Sequence, residues 1–231
     1  MSNVNARPRV YSPAKTAWLD EQFAQLADAG MVNENPRAIC PNPSHAVPKG
    51  NGYRLVGGSK AVNQQSELMA APPMLLEEQA SAFAGAALFM TVDLNQGYWQ
   101  MPLAAMSQEL FTCVMQKGLC TPTQTPQGVT NVTSYFQGTL ERTLGDLVRR
   151  VCLVYADCVI IWGRNVWVLV DHFSWVVKKL IDVGLFVAAH KVTLYAREVK
   201  WCGKLFSGTV VRHDPDRIRG LVEMRRAGTV G

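Results

Sequence analysis

The chain has 231 residues, of which 48% are hydrophobic and 18% charged, and its formal net charge is +5. This length suffices for one large domain or two small ones, and the composition excludes a disordered chain. The most apolar stretch, residues 151–180, is interrupted by Asp157, Arg164 and Asp171, which excludes a membrane span, and the first residues do not resemble a signal peptide. We therefore expect an intracellular protein with no membrane partner.

The charges and the cysteines are unevenly placed. Residues 197–226 contain eight Lys and Arg against four Asp and Glu, whereas residues 61–116 contain no Lys or Arg at all. An acidic middle and a basic end suit a protein that gathers cations at one place and phosphates at another, although chance clustering on solvated faces explains the charges equally well. The six cysteines have no paired short spacing, so we expect reduced thiols rather than a zinc site.

In chain order, the hydrophobic pattern predicts helices and strands that alternate over most of the length. The predicted helices cover about residues 13–29, 74–83, 129–148 and 166–183, and a last helix begins at Asp214. The predicted strands are 53–56, 88–92, 98–101, 111–115, 119–123, the two runs around Asp157, 185–188, 199–201 and 205–207. A helical and extended N-terminal part followed by antiparallel strands mixed with helices predicts an α+β fold.

Asp157 lies between two short runs of β-branched, aliphatic and aromatic residues, a pattern typical of two strands joined by a tight turn. A carboxylate beside buried strands is costly to remove from water unless a cation meets it, and the usual cation is a bound metal ion. Asp is also a common turn residue, so this stretch alone supports a metal ligand and a turn-forming residue about equally.

A second aspartate, Asp93, follows the predicted strand 88–92. If this strand and the Asp157 hairpin are neighbours in one sheet, the two carboxylates converge on one face. Such a pair, with room left for phosphates, suits Mg²⁺, which retains waters and takes few protein ligands. Two such ions can activate a hydroxyl nucleophile and stabilise a leaving pyrophosphate. The alternative is that both aspartates only form turns or caps.

Four motifs occur in order along the chain: Val92-Asp93-Leu94-Asn95-Gln96-Gly97-Tyr98-Trp99-Gln100, Pro126-Gln127-Gly128-Val129 with Phe136-Gln137, Tyr155-Ala156-Asp157, and Lys200-Trp201-Cys202-Gly203. This series resembles the reverse transcriptase domain of gypsy-type long-terminal-repeat retrotransposons over roughly residues 8–226. Four ordered motifs are far more specific than any one of them.

The resemblance implies a right-hand polymerase fold whose antiparallel palm sheet is backed by helices. Residues 1–86 would form the N-terminal arm and fingers, to which about 104–128 also belong. Residues 87–196 would be mainly palm, and 197–231 the primer-grip hairpin and the start of a thumb that is largely absent. The implied function is that of an RNA-directed DNA polymerase within a retrotransposon polyprotein. The implied partners are an RNA or DNA template with its primer, deoxynucleoside triphosphates and other segments of the polyprotein.

The resemblance also implies roles for individual residues. Asp93 and Asp157 would bind two Mg²⁺ ions, for which Mn²⁺ can substitute. The residues similar to the family's nucleotide-binding groups are Arg54 and Lys49 at the triphosphate, Tyr98 under the sugar, where its ring would clash with a ribose 2′-hydroxyl, and Gln127 and Gly128 against the nucleotide and template. The residues similar to the primer grip are Trp201, Cys202 and Gly203. For Tyr98, Gln127 and Trp201 the alternative is ordinary packing, and Lys191 matches a family lysine but also fits a solvated side chain.

The chain departs from the family at its active-site hairpin, where Cys158 replaces a second aspartate. A thiol is mostly neutral at pH 7, and as a thiolate it is a soft donor that suits Mg²⁺ poorly. Residues 57–60, Gly-Gly-Ser-Lys, also stand where the family has an aspartate, an aromatic residue and an arginine. We therefore expect a fragmentary or decayed copy with impaired polymerase activity. The alternatives are a non-catalytic nucleic-acid-binding module and a translated remnant that folds poorly.

Overall fold

The computed structural model describes residues 9–50, 52–69, 81–115, 117–201, 203–208, 210–216 and 219. Most of the helix expected over 74–83 lies outside the described residues, as do Cys202 and nearly all of the chain after Asp216. Within the described ranges, no helix has both the length and the apolar character needed to cross a bilayer.

Helices and strands alternate along the chain as an α+β pattern. The α-helices are α1 (Pro13–Asp28), α2 (Lys60–Gln65), α3 (Ala105–Gln108), α4 (Val132–Leu144) and α5 (Val166–Asp182). The strands are β1 (Val32–Glu34), β2 (Asn42–Lys49), β3 (Gly52–Gly57), β4 (Leu88–Asp93), β5 (Cys113–Val114), β6 (Leu119–Pro122), β7 (Cys152–Tyr155), β8 (Cys158–Gly163), β9 (Thr193–Ala196), β10 (Glu198–Trp201), β11 (Lys204–Ser207) and β12 (Val211–His213). Short 3₁₀ helices cover Gly97–Gln100, Glu109–Phe111, Gly145–Leu147 and Ala189–Lys191.

The chain divides into two compact units, and the first comprises residues 1–71 and 96–139. Its sheet has the strand order β1-β6-β5-β2-β3, in which β2 and β5 are parallel and the other neighbours antiparallel. Helix α1 buries Leu19 and Phe23 in an apolar cluster with strand residues that include Ala46 and Leu55. Burial of such side chains removes apolar surface from water, which is the main stabilising term of this unit.

The second unit comprises residues 72–95 and 140–231, and its described residues form two sheets. The larger sheet has the order β7-β8-β4-β9, so β4 is flanked on both sides, and all its pairs are antiparallel. On one face, Phe89 and Trp162 belong to the same buried cluster as Trp201 and Phe206 of the three-stranded sheet β10-β11-β12. This cluster packs the small sheet against the larger one.

Helix α5 packs against β8 and β4. Its side chains Leu169, Val176 and Leu180 are fully buried. The helix approaches β8 closely at Gly163, where a Cβ would lie 2.6 Å from the backbone nitrogen of Leu169. Position 163, at the end of β8, therefore accommodates a glycine hydrogen but not the Cβ of a larger residue.

Two strand predictions were wrong. Residues 98–101 do not form a strand: Gln96 takes a left-handed conformation (φ 48°), and Gly97–Gln100 then coil into a 3₁₀ helix. In a segment of four residues, the two-residue repeat of apolar side chains in a strand cannot be distinguished from the three-residue repeat of a 3₁₀ helix. Residues 185–188 contribute a single bridge, from Val187 to Leu94, and only Leu185 and Ala188 of this segment are buried, whereas Phe186 is 68% exposed.

Candidate active site

Backbone pairing in the second unit brings the two predicted metal-binding aspartates together. Asp93 is the last residue of β4, and its Cα is paired directly with that of Cys158 at the start of β8. One residue further on, the Leu94 N–H donates to the Asp157 carbonyl oxygen at 3.0 Å. The Asp93 carbonyl oxygen accepts from the Ala188 N–H at 2.8 Å on the other side. Main-chain hydrogen bonds therefore place both aspartates at one end of the sheet, and both side chains are partly exposed.

The turn that carries Asp157 is a two-residue loop between Tyr155 and Cys158, which are paired across β7 and β8. Ala156 has a φ of 52°, in the left-handed region where a residue with a Cβ is uncommon. Two-residue loops between antiparallel strands need positive φ because their twist must match that of the strands. The tight turn predicted from the sequence is therefore present, with alanine rather than glycine in its left-handed position.

Cys158 occupies the position where the family pattern has a second carboxylate. Because directly paired residues in an antiparallel sheet share a face, its side chain lies on the same face as that of Asp93. It is partly buried and packs against the apolar cluster that contains Ile160 and Trp162. The thiol therefore adds a small apolar contact at a position where a carboxylate would add charge.

The donor set fits a divalent cation only in part. In the portion of the chain that the structure describes, no group of three or more His, Cys, Asp and Glu side chains is arranged to hold a metal ion. Mg²⁺ needs only one or two carboxylates from a protein when substrate phosphates and waters provide its other ligands. The two carboxylates at this end of the sheet satisfy that requirement. The thiol of Cys158 adds no hard ligand to Asp93 and Asp157.

In the first unit, Lys49 and Arg54 lie on the hairpin formed by β2 and β3. Lys49 pairs with Gly52 at the turn, and Arg54 pairs with Val47. Both basic side chains are exposed. A guanidinium fork and an ammonium group on one exposed hairpin can contact phosphate oxygens, the guanidinium by two parallel bonds.

The other end of β3 meets the segment with Gln127 and Gly128. The Gly57 N–H donates to the Gln127 carbonyl oxygen at 3.0 Å. A Cβ on Gly128, whose φ is 109°, would lie 2.6 Å from the Gly57 carbonyl oxygen. Asn63 of α2 donates its side-chain NH₂ to the Gly128 carbonyl oxygen at 2.8 Å and accepts from the Thr130 N–H at 3.0 Å. The Gln127–Gly128 segment is therefore fixed by glycine contacts and by an asparagine that the sequence analysis missed.

Tyr98 is held by two contacts within the first unit. Its hydroxyl group and the Thr133 hydroxyl are hydrogen-bonded at 2.9 Å. Its ring meets that of Phe136 edge-on, with centroids 5.6 Å apart and an interplanar angle of 81°. Phe136 is fully buried, so it provides a rigid support. Thr133 is a second residue that sequence reasoning missed, because nothing local connects it to Tyr98.

Two of the predicted primer-grip residues, Trp201 and Gly203, lie where β10 turns into β11. Trp201 ends β10 and is 4% exposed, and Gly203 lies in the turn with a φ of 77°. The Trp201 ring contacts that of Tyr155 at a centroid distance of 6.1 Å. The turn therefore touches the hairpin that carries Asp157. Lys191 is exposed in the 3₁₀ helix Ala189–Lys191.

One departure from the family pattern has a local steric reason. Gly58 donates its N–H to the Pro43 carbonyl oxygen at 2.8 Å. A Cβ on Gly58 would overlap that carbonyl group and the Pro43 ring. The aspartate expected from the family at this part of the fingers strand does not fit the backbone as it stands.

Comparisons with known proteins agree with this geometry. Residues 47–205 match the family described as "Reverse transcriptase (RNA-dependent DNA polymerase)". Over 217 residues the chain is 30% identical to the "Retrovirus-related Pol polyprotein from transposon gypsy" of Drosophila melanogaster, covering 89% of this chain and 20% of the polyprotein. Over 206 residues it is 23% identical to the "Enzymatic polyprotein" of figwort mosaic virus, covering 87% of this chain and 30% of that protein.

The solved structures establish the fold. The foamy viral protease-reverse transcriptase in complex with double-stranded DNA matches with a TM-score of 0.86 and 19% identity, over 98% of this chain and 40% of that one. The same type of protein in complex with an RNA/DNA hybrid matches with a TM-score of 0.83 and 20% identity, over 96% of this chain and 30% of that one. The right-hand polymerase fold expected from the sequence is confirmed. The family match covers well over half of the chain, which therefore belongs to the reverse transcriptase family.

Proposed function

We propose that the chain is the polymerase portion of a longer polyprotein and transfers nucleotides from deoxynucleoside triphosphates onto the 3′-hydroxyl of a primer on an RNA or DNA template. The observation that carries this proposal is the pairing of Asp93 with Cys158, together with the hydrogen bond from Leu94 to Asp157. Two acids distant in sequence thereby share one end of a sheet. The family match supports the reaction type.

We assign the family's subdomains to this chain as follows. Residues 1–86 and about 104–128 form the arm and fingers, 87–196 mainly the palm, and 197–231 the primer grip and the start of a thumb. Lys49 and Arg54 contact the triphosphate, Gln127 and Gly128 lie against the nucleotide, and Tyr98 excludes a ribose 2′-hydroxyl. Trp201 and Gly203 contact the primer end, and Cys202 of the same motif lies outside the described residues.

Asp93 and Asp157 would hold two divalent ions, Mg²⁺ or Mn²⁺. When bound, such ions lower the pKa of a primer hydroxyl and stabilise the charge on a leaving pyrophosphate. The contribution of the chain is geometric, because the main-chain bonds at Leu94 and Ala188 hold the backbone that carries both carboxylates. Pre-organised groups cost no reorganisation at the moment of reaction.

Cys158 limits the activity in this proposal. Loss of a ligand that supports a metal site typically lowers affinity or activity by about 10–100-fold. We therefore expect Cys158→Asp to raise Mg²⁺-dependent primer extension by about 10-fold or more. Mn²⁺ should support more extension than Mg²⁺ by the unchanged chain, because it tolerates softer and less complete donor sets.

The experiment is primer extension in Mg²⁺ and in Mn²⁺ by the unchanged chain, Cys158→Asp and Cys158→Asp with Asp157→Asn. The matched control is Cys40→Asp, which adds the same carboxylate to a partly exposed cysteine of the first unit. A gain in Cys158→Asp that disappears with Asp157→Asn supports the assignment. The proposal is contradicted if no variant extends the primer in either metal while the chain still binds primer–template in a salt-sensitive manner. That result would indicate a non-catalytic binding module.

A further inference from the structure

Asp214 is the one charged side chain that is buried among the described residues, with 5% of its surface exposed. Its Oδ2 lies 2.6 Å from the Lys200 Nζ, and its Oδ1 accepts from the Asp216 N–H at 3.1 Å. Lys200 also donates to the Asp216 Oδ2 at 3.2 Å. A buried carboxylate is costly unless it is paired and hydrogen-bonded, and Asp214 has both kinds of partner.

The Asp214–Lys200 pair connects the two edge strands of the small sheet. Lys200 is on β10, Asp214 directly follows β12, and β11 lies between these strands. The Asp214 N–H also reaches the Gly203 carbonyl oxygen at 3.4 Å. Asp214 therefore holds the turn between β10 and β11 from two directions, once through Lys200 before the turn and once through Gly203 within it.

This turn is next to the hairpin with the paired acids. Lys200 immediately precedes Trp201, whose ring contacts Tyr155, and Tyr155 pairs with Cys158 across the Asp157 turn. Trp201 is almost fully buried at the end of β10, so the position of its ring depends on the backbone of that strand. A displacement of residues 200–203 would therefore move the indole ring relative to the acidic turn.

The protonation state of Lys200 suits this arrangement. Hydrogen bonds from the Lys200 ammonium to Asp214 and then to Asp216 raise its pKa above the ordinary value. The ammonium therefore stays charged throughout the range in which polymerases are assayed.

We propose that Asp214 and Lys200 form a positioning pair that holds the β10–β11 turn in the orientation needed to receive a primer 3′ end. The inference rests on the proposed function, and neither residue is required to touch the substrate. A second ion pair on the same sheet, from Arg212 to Glu198 at 2.6 Å, joins β12 to the first residue of β10, at the end of that strand away from the turn. It provides a matched control.

The variants are Asp214→Asn, Lys200→Met, Lys200→Arg and the control Arg212→Gln. Asp214→Asn retains the size and the Oδ1 acceptor for Asp216 but removes the charge. Hydrogen bonds to charged groups contribute about twice as much as neutral ones, so we expect the Kd for a recessed primer–template to rise about 10-fold in Asp214→Asn and Lys200→Met. Lys200→Arg should retain most of the affinity, and Arg212→Gln should change it by less than about 2-fold.

Binding is measured by fluorescence anisotropy with a recessed primer–template and, in parallel, with a blunt duplex, because a role at the primer end affects the first probe selectively. The double variant Asp214→Asn/Lys200→Met should bind no worse than either single variant, since the two residues act as one pair. Hydrogen exchange of a peptide covering residues 201–207 measures the turn itself and requires no nucleic acid.

The two readouts separate the inference from the proposed function. Faster exchange in Asp214→Asn with a selective loss of primer–template affinity supports the positioning pair. The inference is overturned if Asp214→Asn leaves the exchange of residues 201–207 unchanged, or if it speeds this exchange without changing the primer–template affinity. It is also overturned if Arg212→Gln loses as much primer–template affinity as Asp214→Asn. If the unchanged chain binds no primer–template, the proposed function fails, and the role of the pair in primer binding fails with it.

Discussion

The hydrogen bond between Tyr98 and Thr133 yields a quantitative prediction about sugar selection. Thr133→Val keeps the shape of the side chain and removes the hydroxyl group that lies 2.9 Å from the Tyr98 hydroxyl. A neutral hydrogen bond contributes about 0.5–1.5 kcal/mol, which corresponds to roughly 2- to 13-fold in a ratio of rates. Because this bond is exposed to water, and Phe136 still supports the ring, we expect the lower part of that range, about 2- to 5-fold.

The quantity to measure is kcat/KM for a deoxynucleotide divided by kcat/KM for the matching ribonucleotide, in the Cys158→Asp background. Thr139→Val is the matched control, because the Thr139 hydroxyl bonds the Tyr135 carbonyl oxygen within α4. We expect the ratio to fall in Thr133→Val and to stay constant in Thr139→Val. An unchanged ratio in Thr133→Val beside a changed ratio in Tyr98→Ala would refute positioning by Thr133. An unchanged ratio in both would remove Tyr98 from the nucleotide site.

Two further predictions concern stability. Gly163→Ala should lower the free energy of unfolding by about 1–3 kcal/mol, because the new Cβ meets the backbone of Leu169. At roughly 2–4 °C per kcal/mol, the melting temperature should then fall by about 2–12 °C. Gly52→Ala is the control and should change the melting temperature little, because a Cβ at Gly52 would meet no atom within 4 Å. Equal shifts in the two variants would contradict the close approach of α5 to Gly163. Burial raises the pKa of Cys113 from 9.0 to about 11 and that of Cys152 from 9.0 to about 12. Both thiols are neutral in the folded chain, so their contribution to stability is fully present below pH 9.0 and is lost as the pH rises through about 11 and 12. Denaturant melts from pH 8 to 11 should register that loss, and it should shrink when Cys113 and Cys152 are replaced by alanine.

Sequence alone predicted the parts of the site that depend on local patterns. An apolar run followed by Asp93, and a hairpin with Asp157 in its turn, are local features, and β4, β7 and β8 appear where the runs indicated. Most of the helix predicted over 129–148 forms α4, in which Phe136, Leu140 and Leu144 are fully buried. The resemblance to reverse transcriptases, carried by four ordered motifs, is confirmed by the family match.

What the sequence did not reveal depends on partners far along the chain. Strand β2 contains Pro43 and Pro48, which argue against a central strand. It forms nonetheless. Among the residues that the structure describes, β5 pairs only with Asn42 and Pro43, and the rest of β2 has β3 as its single neighbour in the sheet. The strands β9 and β12 are short and mostly exposed, so no hydrophobic alternation marks them.

The roles of Thr133, Asn63 and Asp214 were missed for a related reason. Their partners lie 35, 65 and 14 residues away in sequence, at Tyr98, Gly128 and Lys200. No periodicity or turn signal connects residues at such separations. Polar side chains of this kind become recognisable only when the backbone brings their partners within hydrogen-bonding distance.

The main-chain bonds around Asp93 do not depend on the side chain at position 158, which can therefore be substituted separately. The Leu94–Asp157 and Ala188–Asp93 bonds use only peptide groups, so neither of them involves the Cys158 side chain. We expect glutamate, histidine or asparagine at 158 to leave these two bonds in place, and each would present a different donor atom near Asp93. Under the proposed function, position 158 is then the place at which single substitutions would vary the metal preference of the site.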